Sequence, residues 1–171
     1  MKKNLAVQTI LLLALAFFSC HKECDKANTD PNIKGCGDLK VAKIIAEDKI
    51  LSVWIDRKKI AYSTQFQTFE NVANEGFATV KIEQNCNIDA IWSGICNDVF
   101  QDPGCPSVHW SLQKGKLSFK VSKVPTASAC NDFYLATVML ENAEFKKDSS
   151  SETQLINKVE FNNVQVGWCA G

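Results

Sequence analysis

The sequence predicts an all-β protein, an antiparallel sandwich or barrel of about seven to nine strands stapled by disulfides. Three observations carry that prediction. From Leu39 onward the dominant apolar period is two, the signature of strands with one buried face. Turn formers separate these stretches, and a helical period does not stand out in any of them. Eight cysteines among 171 residues are dense for a chain of this size, and none form a Cys-x-x-Cys pair. Structural zinc favours ligands two to four residues apart, and only Cys20 and Cys24 come that close, so the spacing points to disulfides in an oxidising compartment.

Taken in order, residues 21–35 are polar and aperiodic, with Asn28, Asp30-Pro31-Asn32 and Gly35. They read as a flexible tether. Leu51, Val53 and Ile55 then alternate with Ser52, Trp54 and Asp56. Residues 71–75 suit one short turn. Ala78, Val80 and Ile82 alternate with Thr79 and Lys81. Residues 89–96, 133–140 and 159–168 repeat the strand habit, and residues 146–154, with three consecutive serines, form a loop.

Residues 108–121 carry the most specific local expectation. Val108, Trp110 and Leu112 share a face, Lys114-Gly115 fits a two-residue turn, and Leu117, Phe119 and Val121 follow. A hairpin there pairs Leu112 with Leu117, Trp110 with Phe119 and Val108 with Val121, all on one face. Residues 138–145 and 159–166 echo each other. In each the apolar phase slips at a dipeptide ending in Asn, at Asn142 and Asn163. Asn tolerates positive φ, so the slip is either a tight turn or a β-bulge.

The chain begins with a short basic segment, Met1-Lys2-Lys3-Asn4, and a largely apolar run over residues 5–18. A membrane-spanning helix needs about 20 apolar residues, so the run suits the hydrophobic region of a signal peptide. Phe17-Phe18-Ser19-Cys20 follows at once and resembles the bacterial lipobox, with Phe17 where Leu is usual. The resemblance implies cleavage before Cys20 and lipid on its thiol and new amino group. Each buried methylene contributes about 0.8 kcal/mol, so several chains anchor firmly. His21-Lys22-Glu23 resembles the Lys-plus-acidic tract that directs some lipoproteins to the outer face of the outer membrane. The chain is thus expected to be a lipid-anchored outer-membrane protein displayed at the cell surface, with the periplasmic face as the alternative. The expected organisation is signal peptide 1–19, tether 20–35 and β-domain 36–171.

With Cys20 lipidated, the disulfide candidates are Cys36, Cys86, Cys96, Cys105, Cys130 and Cys169, leaving Cys24 in the tether. Spacing suggests Cys86 with Cys96, Cys105 with Cys130, and Cys36 with Cys169. Basic and acidic residues number 19 each, and there is no basic patch with interleaved aromatics. Nucleic acid is therefore not an expected partner.

The two histidines offer little catalysis. His21 lies in the tether, and His109 shares a face with Ser111 and Lys120 and suits a solvated position. No local signature supports a nucleophilic triad. Asp89, Asp98, Asp102, Asp132 and Glu141 are available for carboxylate chemistry but scatter over loops. Asn85, Asn87 and Asp89, with Asn97, Asp98 and Asp102, resemble calcium-ligand spacing, yet Ala90 stands where an EF-hand loop needs Gly. No cofactor and no metal are expected.

Two features suit recognition instead. Residues 96–106 form a loop carrying Val99 and Phe100 between cysteines, and a pinned loop loses little entropy on docking. Trp54 is out of phase with Leu51, Val53 and Ile55, which puts its indole on the outer surface unless loop or tail covers it. The expectation is a non-enzymatic binding module with a protein or glycan partner, using Trp54, Val99 and Phe100. An inhibitor of a secreted hydrolase, a protease or lysozyme, is the second reading, and a carboxylate-based hydrolase the third.

Overall fold

A computed structural model describes residues 27–96, 102–123 and 134–167. They form eight antiparallel strands: β1 (Ile33–Cys36), β2 (Lys40–Ala46), β3 (Lys49–Ile55), β4 (Gln67–Phe69), β5 (Ala78–Gln84), β6 (Val108–Lys123), β7 (Tyr134–Lys147) and β8 (Thr153–Val166). One 3-10 turn, Val72–Asn74, and one helix, α1 (Ile88–Gly94), interrupt them. The sheet runs β1-β2-β3-β5-β6-β7-β8. β4 pairs Leu117–Phe119 on the edge of β6 whose earlier part pairs with β5.

The curled sheet is a nearly closed barrel filled from its inner face. Leu51, Val53 and Ile55 of β3 meet Val80 and Ile82 of β5, Leu117 and Phe119 of β6, Val138 and Leu140 of β7, and Phe161 of β8. Phe119, Phe145 and Phe161 are fully buried, each contributing about 1.5–3 kcal/mol of transfer free energy. The period-two alternation of β3 and β5 is thus the inward and outward alternation of barrel strands.

Seven strands lie along the path, and each is antiparallel to the next. An odd number of alternating strands leaves the two ends, β1 and β8, running the same way. They form no regular ladder. The seam is held by an isolated bridge, with the Gly167 amide donating to the Gly37 carbonyl at 2.8 Å. Asn28 adds two bonds, its amide to the Asn163 carbonyl at 2.8 Å and its Nδ2 to the Asn162 carbonyl at 2.9 Å. Gly35 lets β1 press against β8. A Cβ there would collide with the Gln165 carbonyl and lie 2.6 and 2.9 Å from the Val164 and Val166 methyls.

The slips at Asn142 and Asn163 are β-bulges. Both residues have positive φ, 49° and 51°. Asn162 and Asn163 together oppose Thr137, between the pairs Ala136–Val164 and Val138–Phe161. Asn142 and Ala143 together oppose Gly115, between the pairs Lys114–Glu144 and Lys116–Glu141. Each bulge re-aims the following residues, so Ala143 and Phe145 return to the core after Asn142, and Val164 and Val166 after Asn163.

The same mechanism overturns the hairpin at Lys114-Gly115. β6 runs unbroken through both residues and pairs with β7, Leu117 with Leu140 and Phe119 with Val138. The inward set changes parity between Trp110 and Leu117 because the ladder slips there, not because the chain turns. Gly115 sits under a close approach of the facing strand, since a Cβ would lie 3.2 Å from Ala143 Cα and that backbone would have to give by a few tenths of an ångström.

Residues 89–96, expected as a strand, are mostly helix. Ile88, Ile91, Trp92 and Ile95 recur at helical spacing, and the Asn87 side chain caps the first turn by accepting from the Ala90 amide at 3.2 Å. The tether expected through residue 35 ends earlier, because Asn28 already bonds β8 and Ile33 begins β1.

The described cysteine pairs are Cys36–Cys96 and Cys86–Cys105. Three suggested pairings, Cys86–Cys96, Cys105–Cys130 and Cys36–Cys169, are therefore replaced. The first pairing rests on a strand between Cys86 and Cys96, the second on a hairpin between Cys105 and Cys130, and the third on the two ends of the domain. A helix instead carries Cys96 along the outside of the barrel to the end of β1. Cys20, Cys24, Cys130 and Cys169 lie outside the described residues.

Candidate functional site

Strand β3 turns Leu51, Val53 and Ile55 inward, leaving Ile50, Ser52 and Trp54 on the outer face. Ile50 and Ser52 are nonetheless buried, as is Ala42, the register partner of Ser52. Helix α1 lies against β3 and makes this face a second, smaller packed layer. Trp54 stands beyond it and keeps 46% of its surface exposed.

Helix α1 is held at its C-terminal end by two lysines of the first two strands. Lys34 Nζ donates to the Trp92 carbonyl at 2.7 Å and lies 4.7 Å from the centre of the Trp92 ring. Lys40 Nζ donates to the Ile95 carbonyl at 2.9 Å. Ammonium groups at the last carbonyls of a helix satisfy free acceptors and oppose the negative end of its dipole. The Cys36–Cys96 disulfide fastens the same point covalently.

The other end of the connection is fixed through Asn85, a polar side chain only 3% exposed. Its Nδ2 donates to the Cys105 carbonyl and to Ser107 Oγ, and its Oδ1 accepts from the Asn87 amide at 2.8 Å. Ser107 in turn donates to Glu83 Oε1 at 2.8 Å. Together with Cys86–Cys105, these bonds pin both described ends of the β5–β6 connection, at residues 85–87 and 105–107, to the barrel.

Across the strands Trp54 is flanked by Lys40 on β2 and Thr79 on β5. Lys81 and Glu83 follow Thr79 on the same face. Lys40 has its pKa lowered, first by burial and then by the nearby charge of Lys81, with Glu83 acting the other way. The surroundings of the indole are therefore polar, with two cations facing one carboxylate.

The site residues expected from sequence divide accordingly. Trp54 is exposed as its phase demanded. Val99 and Phe100 lie outside the described residues, whereas Cys96 is bonded to Cys36 at the end of β1 and Ile95 accepts from Lys40. That proximity could not be read from the sequence. Two further aromatic or aliphatic side chains were not singled out: Phe66, 50% exposed under Lys120 Nζ at 5.0 Å, and Leu155, 64% exposed. Solitary outward positions of this kind carry no periodic signal.

The chemistry weighed from sequence finds other employment here. Asn85 and Asn87 accept from backbone amides, and Asp102 Oδ1 accepts from the Gly104 amide at 2.9 Å in a turn where Gly104 has φ 76°. These are caps and turns, and the described residues contain no metal-binding group of three or more His, Cys, Asp or Glu. His109 is exposed opposite Glu83, and the Ser111 hydroxyl donates to Asp148 at 2.7 Å. Asp89 sits on α1 and Asp102 in the following turn, whereas Glu141 lies on β7 opposite Lys116. Asp98 and Asp132 fall outside the described residues.

One groove, of about 270 Å³, opens at the seam between Asn28, Ile33, Gly35, Val164, Gln165 and Gly167. No described helix is long and apolar enough to cross a membrane. Neither a protein-family model, nor a curated protein, nor a solved structure matches this chain.

Proposed function

We propose that the chain is an exported lipoprotein, held to the outer membrane by lipid on Cys20 and displayed at the cell surface. Its barrel is a non-enzymatic binding module that presents Trp54 to a partner. The exposure of Trp54 carries this reading. It stands on a barrel strand, beside a connection pinned by two disulfides, so little conformational freedom is lost when a partner docks. The lipobox-like segment and the paired cysteines support an extracytoplasmic address.

Intact mass of the native protein tests the address, and the expected result is acylated Cys20, abolished by Cys20→Ser. Protease treatment of whole cells then distinguishes surface display from the periplasmic face. Trp54→Ala is expected to weaken partner binding roughly thirtyfold or more while circular dichroism shows the protein still folded. Partner binding that survives this substitution would rule the surface out.

A second reading is an inhibitor of a secreted hydrolase, with the β5–β6 connection entering the enzyme's cleft. The two disulfides on that connection favour it, since a crosslinked segment resists being processed as a substrate. A panel of secreted proteases and lysozymes, assayed with and without the protein, tests it; unchanged rates throughout would dispose of it.

A further inference from the structure

The Trp54 surface also constrains the chemistry of what it binds. An indole with nearly half its surface exposed offers a flat apolar platform. Its register neighbours are Lys40 and Thr79, with no large apolar side chain between them. A protein anchor would need an apolar pocket around it to exclude water, since binding energy concentrates in desolvated aromatic centres ringed by dry contacts. This surface instead surrounds its aromatic with a hydroxyl and ammonium groups. Such a set fits a sugar, whose axial C–H groups lie on an aromatic ring while its rim makes hydrogen bonds.

The charges narrow the class further. Lys40 and Lys81 project on the face of Trp54, from β2 and β5, the two strands that flank β3. The opposing carboxylate, Glu83, already accepts from Ser107. Lys40 spends one donor on the Ile95 carbonyl, and an ammonium carries three. Two cations against one carboxylate leave this face one positive charge over, with ammonium donors to spare for an anion. The apolar platform and the cations thus meet in a sugar that carries an acidic group.

We propose that the Trp54 surface binds an acidic glycan, a pyranose ring stacked on the indole and its carboxylate or sulfate held by Lys40 and Lys81. This rests on the reading of the barrel as a binding module and names its ligand class.

The test uses the lipidated full chain in detergent on a printed array of uronate-containing, sulfated, sialylated and neutral oligosaccharides. Acidic glycans are expected to bind, and neutral ones of the same size to bind weakly. Trp54→Ala should weaken binding roughly thirtyfold or more, and Trp54→Phe should retain part of it. Lys81→Gln should weaken it and flatten its salt dependence, because the lost contact is a screened charge pair. Peptide mapping of the Cys36–Cys96 link confirms that each variant is folded. The proposal is overturned if no acidic glycan binds, if Trp54→Ala binds as well as the parent, or if poly-glutamate competes as effectively as the glycans. The last result would mark an acidic peptide as the ligand. A silent array alongside Trp54-dependent binding of a protein would remove the glycan and leave the binding module standing.

Discussion

Asn163 shows how one residue carries a strand's geometry. Its positive φ costs most side chains about 1–2 kcal/mol, and Asn tolerates it. Asn163 also accepts from Thr137 Oγ1 at 3.3 Å. Replacing it by Val should destabilise the barrel by about 1–2 kcal/mol. Gly should stay within about 1 kcal/mol of the parent, its backbone freedom offsetting the lost bond. Urea unfolding midpoints compare the two. Tyr62 is the other telling residue. Its hydroxyl donates to the Ile55 carbonyl at 3.2 Å. Burial, reinforced by Asp38 and opposed by Arg57, raises its pKa above the ordinary phenol range. The folded state therefore keeps a proton that the unfolded chain releases near pH 10. Stability from this group is complete below pH 10 and declines as pH rises beyond it. Tyr62→Phe should flatten that alkaline decline in chemical unfolding measured from pH 8 to 11.5. A parent protein whose stability does not fall above pH 10 would contradict the assignment.

Among the elements, the β5–β6 connection depends most on covalent support. It contains a seven-residue helix, and isolated helices shorter than about 12 residues are marginal in water. Its order comes from the Asn87 cap, from Lys34 and Lys40, and from two disulfides. These close loops of 60 and 19 residues in sequence separation, for which chain entropy predicts stabilisation of about 4 and about 3 kcal/mol. Non-reducing digestion should release Cys36 joined to Cys96 and Cys86 joined to Cys105. Replacing both cysteines of either pair by Ser should lower stability by about 2–5 kcal/mol. A digest with Cys86 joined to Cys96 would refute this arrangement of the connection.

At the scale of the whole molecule, strand parity leaves one weak line. Seven alternating strands cannot close on themselves in antiparallel fashion, so β1 and β8 meet through one bridge, the Asn28 bonds and the close approach at Gly35. Gly35→Val has no room, and overpacking of this kind costs about 1–3 kcal/mol. Hydrogen exchange should then show the loss concentrated in β1 and the end of β8, with β6 and β7 still protected. Uniform loss of protection would mean that the seam is no weaker than the rest of the barrel.

The sequence by itself determined the fold class, the inward stripes of β3 and β5, the outward turn of Trp54 and the phase slips at Asn142 and Asn163. Each of these is local, set by a side-chain period of two or by the tolerance of one residue for positive φ. The apolar spacing of Ile88, Ile91, Trp92 and Ile95 was legible too, but a short apolar stretch between cysteines suits strand and helix alike. Tertiary structure alone decided what Gly115 is for, because a glycine at a turn and a glycine under a facing backbone look identical in sequence. It also decided the disulfide partners and brought Cys96 to the end of β1. Those relations join residues tens of positions apart, and they follow from the path of the chain around the barrel rather than from any pattern along it.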